Sequence, residues 1–312
     1  MIKTKAIRKI FITTMTMFIL LTVFSIPMLE SQEVLKVNME VVDSKDIKMN
    51  NIYLLNEEGY LVRGEILLDE KSMKDNVLKI LNYLIKSETS KYTNGLKGVI
   101  PEGVKVLSVF CGNELVTIDF SKEILNVSSE EEKQMIAAIV YSVLDIDGIR
   151  GVSILVEGVN LDKYPKSGEE IDLILTKDIG INTEYDIKTR DNINKVVLYY
   201  VEKIDDNNYY VPVTKYLNDE REKIKIIIEE LTTSYIYEEN LMSFLNSKTK
   251  LIDYRETDDA LFLNFNEYLY DVGDKVLEEV IYCIGYSVFD NYDVSVVMFE
   301  INGKEVGHIT RK

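Results

Sequence analysis

Few residues in this chain are of a type that could run a reaction. Its 312 residues include one histidine, His308, four places from the C-terminus. A Ser-His-Asp or Cys-His relay would have to use that residue. Terminal residues are usually mobile, so no such relay is expected. The glycines spell neither G-x-x-x-x-G-K-[ST] nor G-x-G-x-x-G, and no phosphate-cradling loop is read. Cys111 and Cys283 form neither a disulfide framework nor a CxxC metal pair. Each reads as a small, buried or partly buried side chain.

Carboxylates are the remaining reactive groups. They cluster at Glu130-Glu131-Glu132, Asp205-Asp206 and Asp258-Asp259. Paired acids could hydrolyse glycosides or hold Ca²⁺. The first cluster opens a predicted helix, where negative charge suits the dipole. The other two fall in predicted turns. Asp145-Ile146-Asp147-Gly148 starts like a calcium loop but lacks the further ligands at their spacing. All are read as solvated surface, so no catalytic, cofactor-binding or metal residue is assigned and no cofactor is expected. Two groups remain as candidates. Asp119, which follows a strand and precedes Phe120-Ser121, is read with Pro101 and Gly103 as a structural turn former. Asn264 in the corresponding place can accept the same bonds. Tyr199, Tyr200, Tyr209 and Tyr210 are read as strand fillers or as a protein-contact surface, since tyrosine is enriched at interfaces.

The elements that must position these groups recur. Leu54 and Leu198 stand 144 apart, Phe120 and Phe265 145, and Ser153 and Ser295 142. Between the last two pairs lies a predicted helix with the stripe Met135, Ile136, Ile139, Val140, Val143 and Leu144. A shift of 145 lands on Val280, Ile281, Ile284, Gly285, Val288 and Phe289, all but one apolar. Likewise Val77, Ile80, Leu81 and Leu84 map onto Ile224, Ile227, Ile228 and Leu231. Repetition of this kind decides the fold before any other signal. Ser72 with Asp75 and Ser128 with Glu131 read as helix caps, and Gly112-Asn113 as a hairpin turn. Each copy reads β-β-α-β-β-α-β. The fold class is α+β: two tandem two-layer domains, each a mixed sheet with two helices packed on one face. The first spans residues 49–176 and the second 193–308. A polar stretch, 177–192, reads as the linker between them.

Residues 1–9 carry Lys3, Lys5, Arg8 and Lys9 without an acid, and 10–29 carry no charge at all. That run is long enough to span a bilayer, and the basic flank keeps the N-terminus in the cytoplasm. Residues 1–29 are thus a signal peptide or a transmembrane anchor; the absence of an A-x-A pattern favours the anchor. Residues 30–48 read as a linker. The formal charge of −17 disfavours a nucleic-acid partner, which needs clustered Lys and Arg. The acidity reads as a solvated, self-repelling surface.

The first copy resembles the GerMN domain of endospore-forming bacteria. The resemblance runs through Asn56-Glu57-Glu58-Gly59-Tyr60-Leu61-Val62, Gly98-Val99-Ile100-Pro101-Glu102-Gly103-Val104-Lys105-Val106-Leu107, Val116-Thr117-Ile118-Asp119-Phe120-Ser121-Lys122-Glu123 and Val140-Tyr141-Ser142-Val143, and ends at Ile154-Leu155-Val156-Glu157-Gly158. It covers about residues 50–160. The second copy departs, with Phe244-Leu245-Asn246-Ser247-Lys248 in place of the Ile-Pro-Glu-Gly turn and Asn264-Phe265-Asn266 in place of Asp119-Phe120-Ser121. It is similar to a diverged member. The resemblance implies a non-catalytic scaffold or ring-building component of a sporulation or germination complex, outside the mother-cell membrane. Its partners would be copies of itself or sporulation channel proteins, with the membrane reached through the N-terminal helix. A peptidoglycan-binding or wall-processing protein is the alternative.

Overall fold

The computed structural model describes residues 48–69, 72–87, 95–204, 207–233, 241–271 and 275–311. The expected targeting segment and its linker, apart from Lys48, lie outside these residues. So do Asp205-Asp206. Residues Ile47–Lys312 cluster as one unit.

The chain begins with the hairpin β1 (Lys48–Leu55) and β2 (Leu61–Leu68), followed by α1 (Met73–Leu84). Next come β3 (Val106–Gly112), β4 (Leu115–Phe120), α2 (Glu132–Leu144), β5 (Gly151–Val156) and β6 (Val159–Asn160). After β7 (Glu184–Asp186) the order returns: β8 (Ile193–Ile204), β9 (Asn207–Asn218), α3 (Lys223–Thr233), β10 (Leu251–Glu256), β11 (Ala260–Phe265), α4 (Glu278–Asn291), β12 (Val296–Ile301) and β13 (Lys304–Thr310). The expected element order holds in both copies, with one extra strand closing each. That strand had a signal. Asn302 and Gly303 both have positive φ, at 50° and 78°, and such a pair between apolar runs marks a two-residue hairpin turn. Glu157 and Gly158 do the same in the first copy.

The sheets are divided differently from expectation. Each copy keeps a four-stranded sheet of its own, ordered β3-β4-β5-β6 and β10-β11-β12-β13, with only the middle pair parallel. The first two strands of each copy leave it and join a common five-stranded sheet, β1-β2-β9-β7 with β8 on β9. The junction is antiparallel, with Arg63 opposite Tyr210. Two self-contained layered domains are therefore not what forms; the copies are fused through a shared sheet.

The β1 and β8 edges of that sheet are sealed by side chains from α2, α4 and the residue after α2, and by two loop carbonyls. Along β1, the N–H of Asn51 donates to Asp145 Oδ2 (2.7 Å), that of Tyr53 to Ser142 Oγ (3.1 Å) and that of Leu55 to the Lys97 carbonyl (2.9 Å). Along β8, the N–H groups of Val197, Tyr199 and Val201 donate to Asn291 Oδ1 (3.2 Å), Ser287 Oγ (2.8 Å) and the Met242 carbonyl (2.7 Å). An open edge would be a template for stray pairing; here helix side chains occupy it. The bonds equate residues 51, 53 and 55 with 197, 199 and 201, an offset of 146 rather than the 144 read from sequence. A slip of two leaves every side chain on its own face, so the apolar pattern could not reveal it.

This placement also corrects the single-face reading of the helices. Residues 135–143 of α2 are all buried, because the helix packs against both the shared sheet and its own copy's sheet. In α4 the glycine among the apolar positions has a cause: a Cβ on Gly285 would sit 2.6 Å from the Ile309 side chain.

Ser72 caps α1 by accepting from the Asp75 N–H. The expected Ser128–Glu131 cap does not form. Glu131 pairs instead with Lys86 and Lys97. Gly98 follows α1 closely, since a Cβ there would lie 2.5 Å from the Leu84 carbonyl oxygen. That approach lets the N–H groups of Val99 and Ile100 satisfy the same oxygen.

The stretch 177–192 is not a free linker. It opens with a 3₁₀ turn, Lys177–Ile179, and supplies β7, which runs parallel to β9. Asn182 accepts from the Leu61 N–H (2.8 Å) and donates to the carbonyls of Leu61 (2.8 Å) and Pro212 (2.7 Å). It fills the place where Pro212, lacking an N–H, cannot continue the ladder between β2 and β9. The second copy also runs past residue 308, to Thr310 at the end of β13.

Candidate functional site

Alternation along the shared sheet gives its two faces different characters. One face carries Ile52, Leu54, Val62, Leu198, Tyr200 and Val211, all buried in the common core. The opposite face carries Asn51, Tyr53, Arg63, Glu65 and Tyr199 and floors a cleft of about 470 Å³. One wall is a stripe of α4: Tyr282, Tyr286, Phe289 and Asp290. These spacings put them on one side of a helix. The C-terminal end of α2, with Asp145 and Asp147, forms another wall, and His308 to Arg311 close the end.

Arg63 sits at the centre. Its guanidinium lies 3.9 Å over the Tyr286 ring, its Nε donates to Asn51 Oδ1 at 2.8 Å, and Glu65 is 3.6 Å away. Burial works against its charge, but the surrounding Tyr199, Tyr286 and Tyr53 hydroxyls favour it, and its pKa is raised. Tyr286 also meets Tyr199, Tyr210 and Tyr282, with centroids 5.2–5.4 Å apart. Such edge and tilted contacts stabilise beyond area alone.

Asp290 is the second hub. Lys177 Nζ donates to one oxygen (2.9 Å) and the Tyr199 hydroxyl to the other (2.7 Å). Burial pushes the Asp290 carboxyl up, but Lys177 and the two hydrogen bonds outweigh it and hold it below its ordinary value. Burial pushes Tyr199 well above the usual phenol range, reinforced by Asp290. Desolvation likewise raises Tyr53 to about 12. Asp145 is engaged by the main-chain and side-chain N–H groups of Asn51, both at 2.7 Å. The carboxylates of this cleft are thus spread among cations, hydroxyls and amides. The arrangement suits binding by stacking and hydrogen bonding. Among the described residues, no group of three or more His, Cys, Asp or Glu is arranged to hold a metal ion.

The residues singled out from sequence fall mostly elsewhere. Asp119 Oδ1 accepts from the Gly158 N–H at 3.0 Å, and Asn264 Oδ1 from the Gly303 N–H at 2.9 Å. Each braces the closing hairpin turn of its copy. Pro101 and Gly103 form a β-turn with Gly103 at φ 81° and the Val104 N–H on the Pro101 carbonyl, far along the chain from the cleft face. Of the four tyrosines, Tyr199 and Tyr200 are buried and lie on no outer contact surface, although Tyr199 reaches the floor of the cleft. Neighbours in a strand face opposite ways, and the shared sheet is covered on both sides of β8. Tyr210 packs on Tyr282 and Tyr286 within the second copy, and its backbone lies opposite Arg63 of the first. Tyr209 is half-buried.

Two other readings are corrected. Glu132 is buried rather than solvated and accepts from the Lys166 (2.6 Å) and Ser167 (3.0 Å) N–H groups. Burial raises its pKa, but those amides prevail and lower it. His308 is not in a loose tail; it lies in β13 opposite Met298. Sequence reasoning missed Arg63, Lys177 and Asp290, which come from three separate segments. Ser142 and Ser287 carried a signal, being polar positions 145 apart within the apolar stretches of their helices.

Comparison with known proteins returns the same organisation. The spore germination protein GerM of Bacillus subtilis (strain 168) is 25% identical over 265 residues, spanning 82% of this chain and 72% of that protein. The solved structure of the tandem GerMN domains of the sporulation protein GerM from Bacillus subtilis superposes with a TM-score of 0.76 at 25% identity, covering 85% of this chain and 97% of that one. A family model described as "Germane: Sporulation and spore germination" matches residues 51–162 and again 197–307. The two matches fall one on each copy, and the chain belongs to this GerMN family with the domain present twice.

Proposed function

We infer that this chain is a non-catalytic scaffold of a sporulation or germination assembly. It acts by protein–protein contact, with itself or with channel components, at the outer face of the mother-cell membrane. The relatives named for sporulation and germination support the process, and the uncharged run at residues 10–29 supports the membrane attachment. The observation that carries the contact role is a repeated bulge. The ladder between β3 and β4 shifts between Val106 and Ser108, and that between β10 and β11 between Leu251 and Asp253. The extra residues, Leu107 and Ile252, are about half exposed, at 50% and 53%. Bulges re-aim side chains and are kept as features rather than defects. Here both copies use one to hold an aliphatic side chain in solvent, at corresponding places in a body whose halves the shared sheet fixes.

The direct measurement is crosslinking of the full-length protein in sporulating cells, with native mass spectrometry of the purified chain. Self-association or a recovered partner is expected, lost in the Leu107→Asp and Ile252→Asp variants at unchanged thermal stability. A monomer with no crosslinked partner refutes the reading.

A further inference from the structure

We propose that the cleft between the two copies is a binding groove for a neutral glycan strand. The groove is longer than one recess. Arg63, Glu65, Tyr282 and Tyr286 are also a wall of a second recess of about 440 Å³, completed by Asn208, Tyr210 and Glu279. With the first, of about 470 Å³, each part falls within the roughly 300–1,000 Å³ typical of small-ligand sites. Two recesses on either side of a shared wall suit a linear ligand that crosses it.

The chemistry narrows the ligand class. An anionic ligand such as a phosphate would meet Glu65, Asp145, Asp147 and Asp290, and in the second recess Glu278 and Glu279; a cationic one would have to lie against Arg63, which lines both recesses, and beside Lys177 and Arg311. An apolar ligand would strip water from all of these, which is costly for charged groups. An extended peptide would look for a strand edge. The β1 and β8 edges of this sheet are already occupied, by Ser142 and Asp145 along β1 and by Ser287 and Asn291 along β8. What remains is an uncharged chain of rings carrying many hydroxyls. Its apolar ring faces can lie on the α4 aromatics, and its hydroxyls can donate to carboxylates and accept from guanidinium and ammonium groups. The groove offers both kinds of polar partner beside Tyr282 and Phe289.

This inference is independent of self-association, so the two readings can fail separately. The test titrates the full-length protein with chitotetraose, with maltotetraose and with a neutral tetrapeptide. Calorimetry and tyrosine emission report binding, the latter cleanly because the chain has 20 Tyr and no Trp. Saturable binding of a glycan, weakened about tenfold or more by Tyr282→Ala and by Asp147→Asn, is expected. Asp147 is exposed beyond the end of α2 and Asn matches its shape and accepting oxygen, so this variant perturbs the fold less than the tyrosine variant. A preference for chitotetraose points to an N-acetylated wall-type strand, and equal binding of both to glycans in general; either result supports the groove. Absence of binding to both glycans at millimolar concentration, tighter binding of the peptide, or glycan affinity unchanged in both variants overturns it.

Discussion

Glu202 makes the joint between the copies sensitive to pH. It lies on β8, only 4% exposed, and both its carboxylate oxygens accept from Asn56 Nδ2, at 2.9 and 2.8 Å. Asn56 follows β1, so the contact ties one copy to the other. Burial raises the Glu202 carboxyl from 4.5 to about 7; the Asn56 bond opposes this and neighbouring Glu58 adds to it. A carboxyl whose folded pKa is raised stabilises the fold fully below its unfolded value, and the contribution is lost as pH rises through the folded value. The window here runs from about 4.5 to about 7. The full difference corresponds to roughly 3 kcal/mol. Solvent reaching the exposed Glu58 screens the pair and leaves about 1–2 kcal/mol. Glu202→Gln keeps an acceptor for Asn56 and has no charge to lose. Urea unfolding followed by circular dichroism at pH 5 and pH 8 isolates the effect as the difference between wild type and variant. The two should agree near pH 5. At pH 8 the variant should be more stable by about 1–2 kcal/mol, or about 3–6 °C in Tm. Parallel wild-type and variant stabilities from pH 5 to pH 8 would show that Glu202 is not protonated in the fold.

Three further outcomes follow from the same geometry. Asp290→Ala leaves Lys177 and the Tyr199 hydroxyl without their shared acceptor; urea unfolding should show a loss of about 3 kcal/mol, and a loss below about 1 kcal/mol would mean the hub is solvated. Asn182→Ala removes three bonds at the β2–β9 junction and should cost about 2–3 kcal/mol. Asn182 has φ 46°, so Asn182→Gly should recover about 0.5–1 kcal/mol of that by relieving the backbone. Gly285→Val, which installs the residue found at the matching place in the first copy, should cost about 1–3 kcal/mol by overpacking against Ile309. Ile309→Ala should restore part of the loss in the double variant, and additive losses would count against that contact.

Much of this protein was written in local pattern. The apolar stripes of α1 and α3, the cap at Ser72 and the order of elements follow from propensity and periodicity, which depend on neighbours a few residues apart. The repeat was legible because two copies of one module bury the same positions, and Asp119 and Asn264 could be matched before their hydrogen bonds were seen. Several features could not be read this way. Which strands pair is a long-range choice, and nothing local distinguishes β1 and β2 in their own copy's sheet from the same strands in a sheet shared with β8 and β9. That choice buries Tyr199 and Tyr200, turns the polar stretch 177–192 into part of the joint, and brings Arg63, Lys177 and Asp290 to one cleft from segments far apart in sequence. The sequence alone determined the module and its duplication; the tertiary structure decided how the two modules join, because hydrogen bonding between strands is indifferent to chain distance and only the assembled sheet shows which edges remain open.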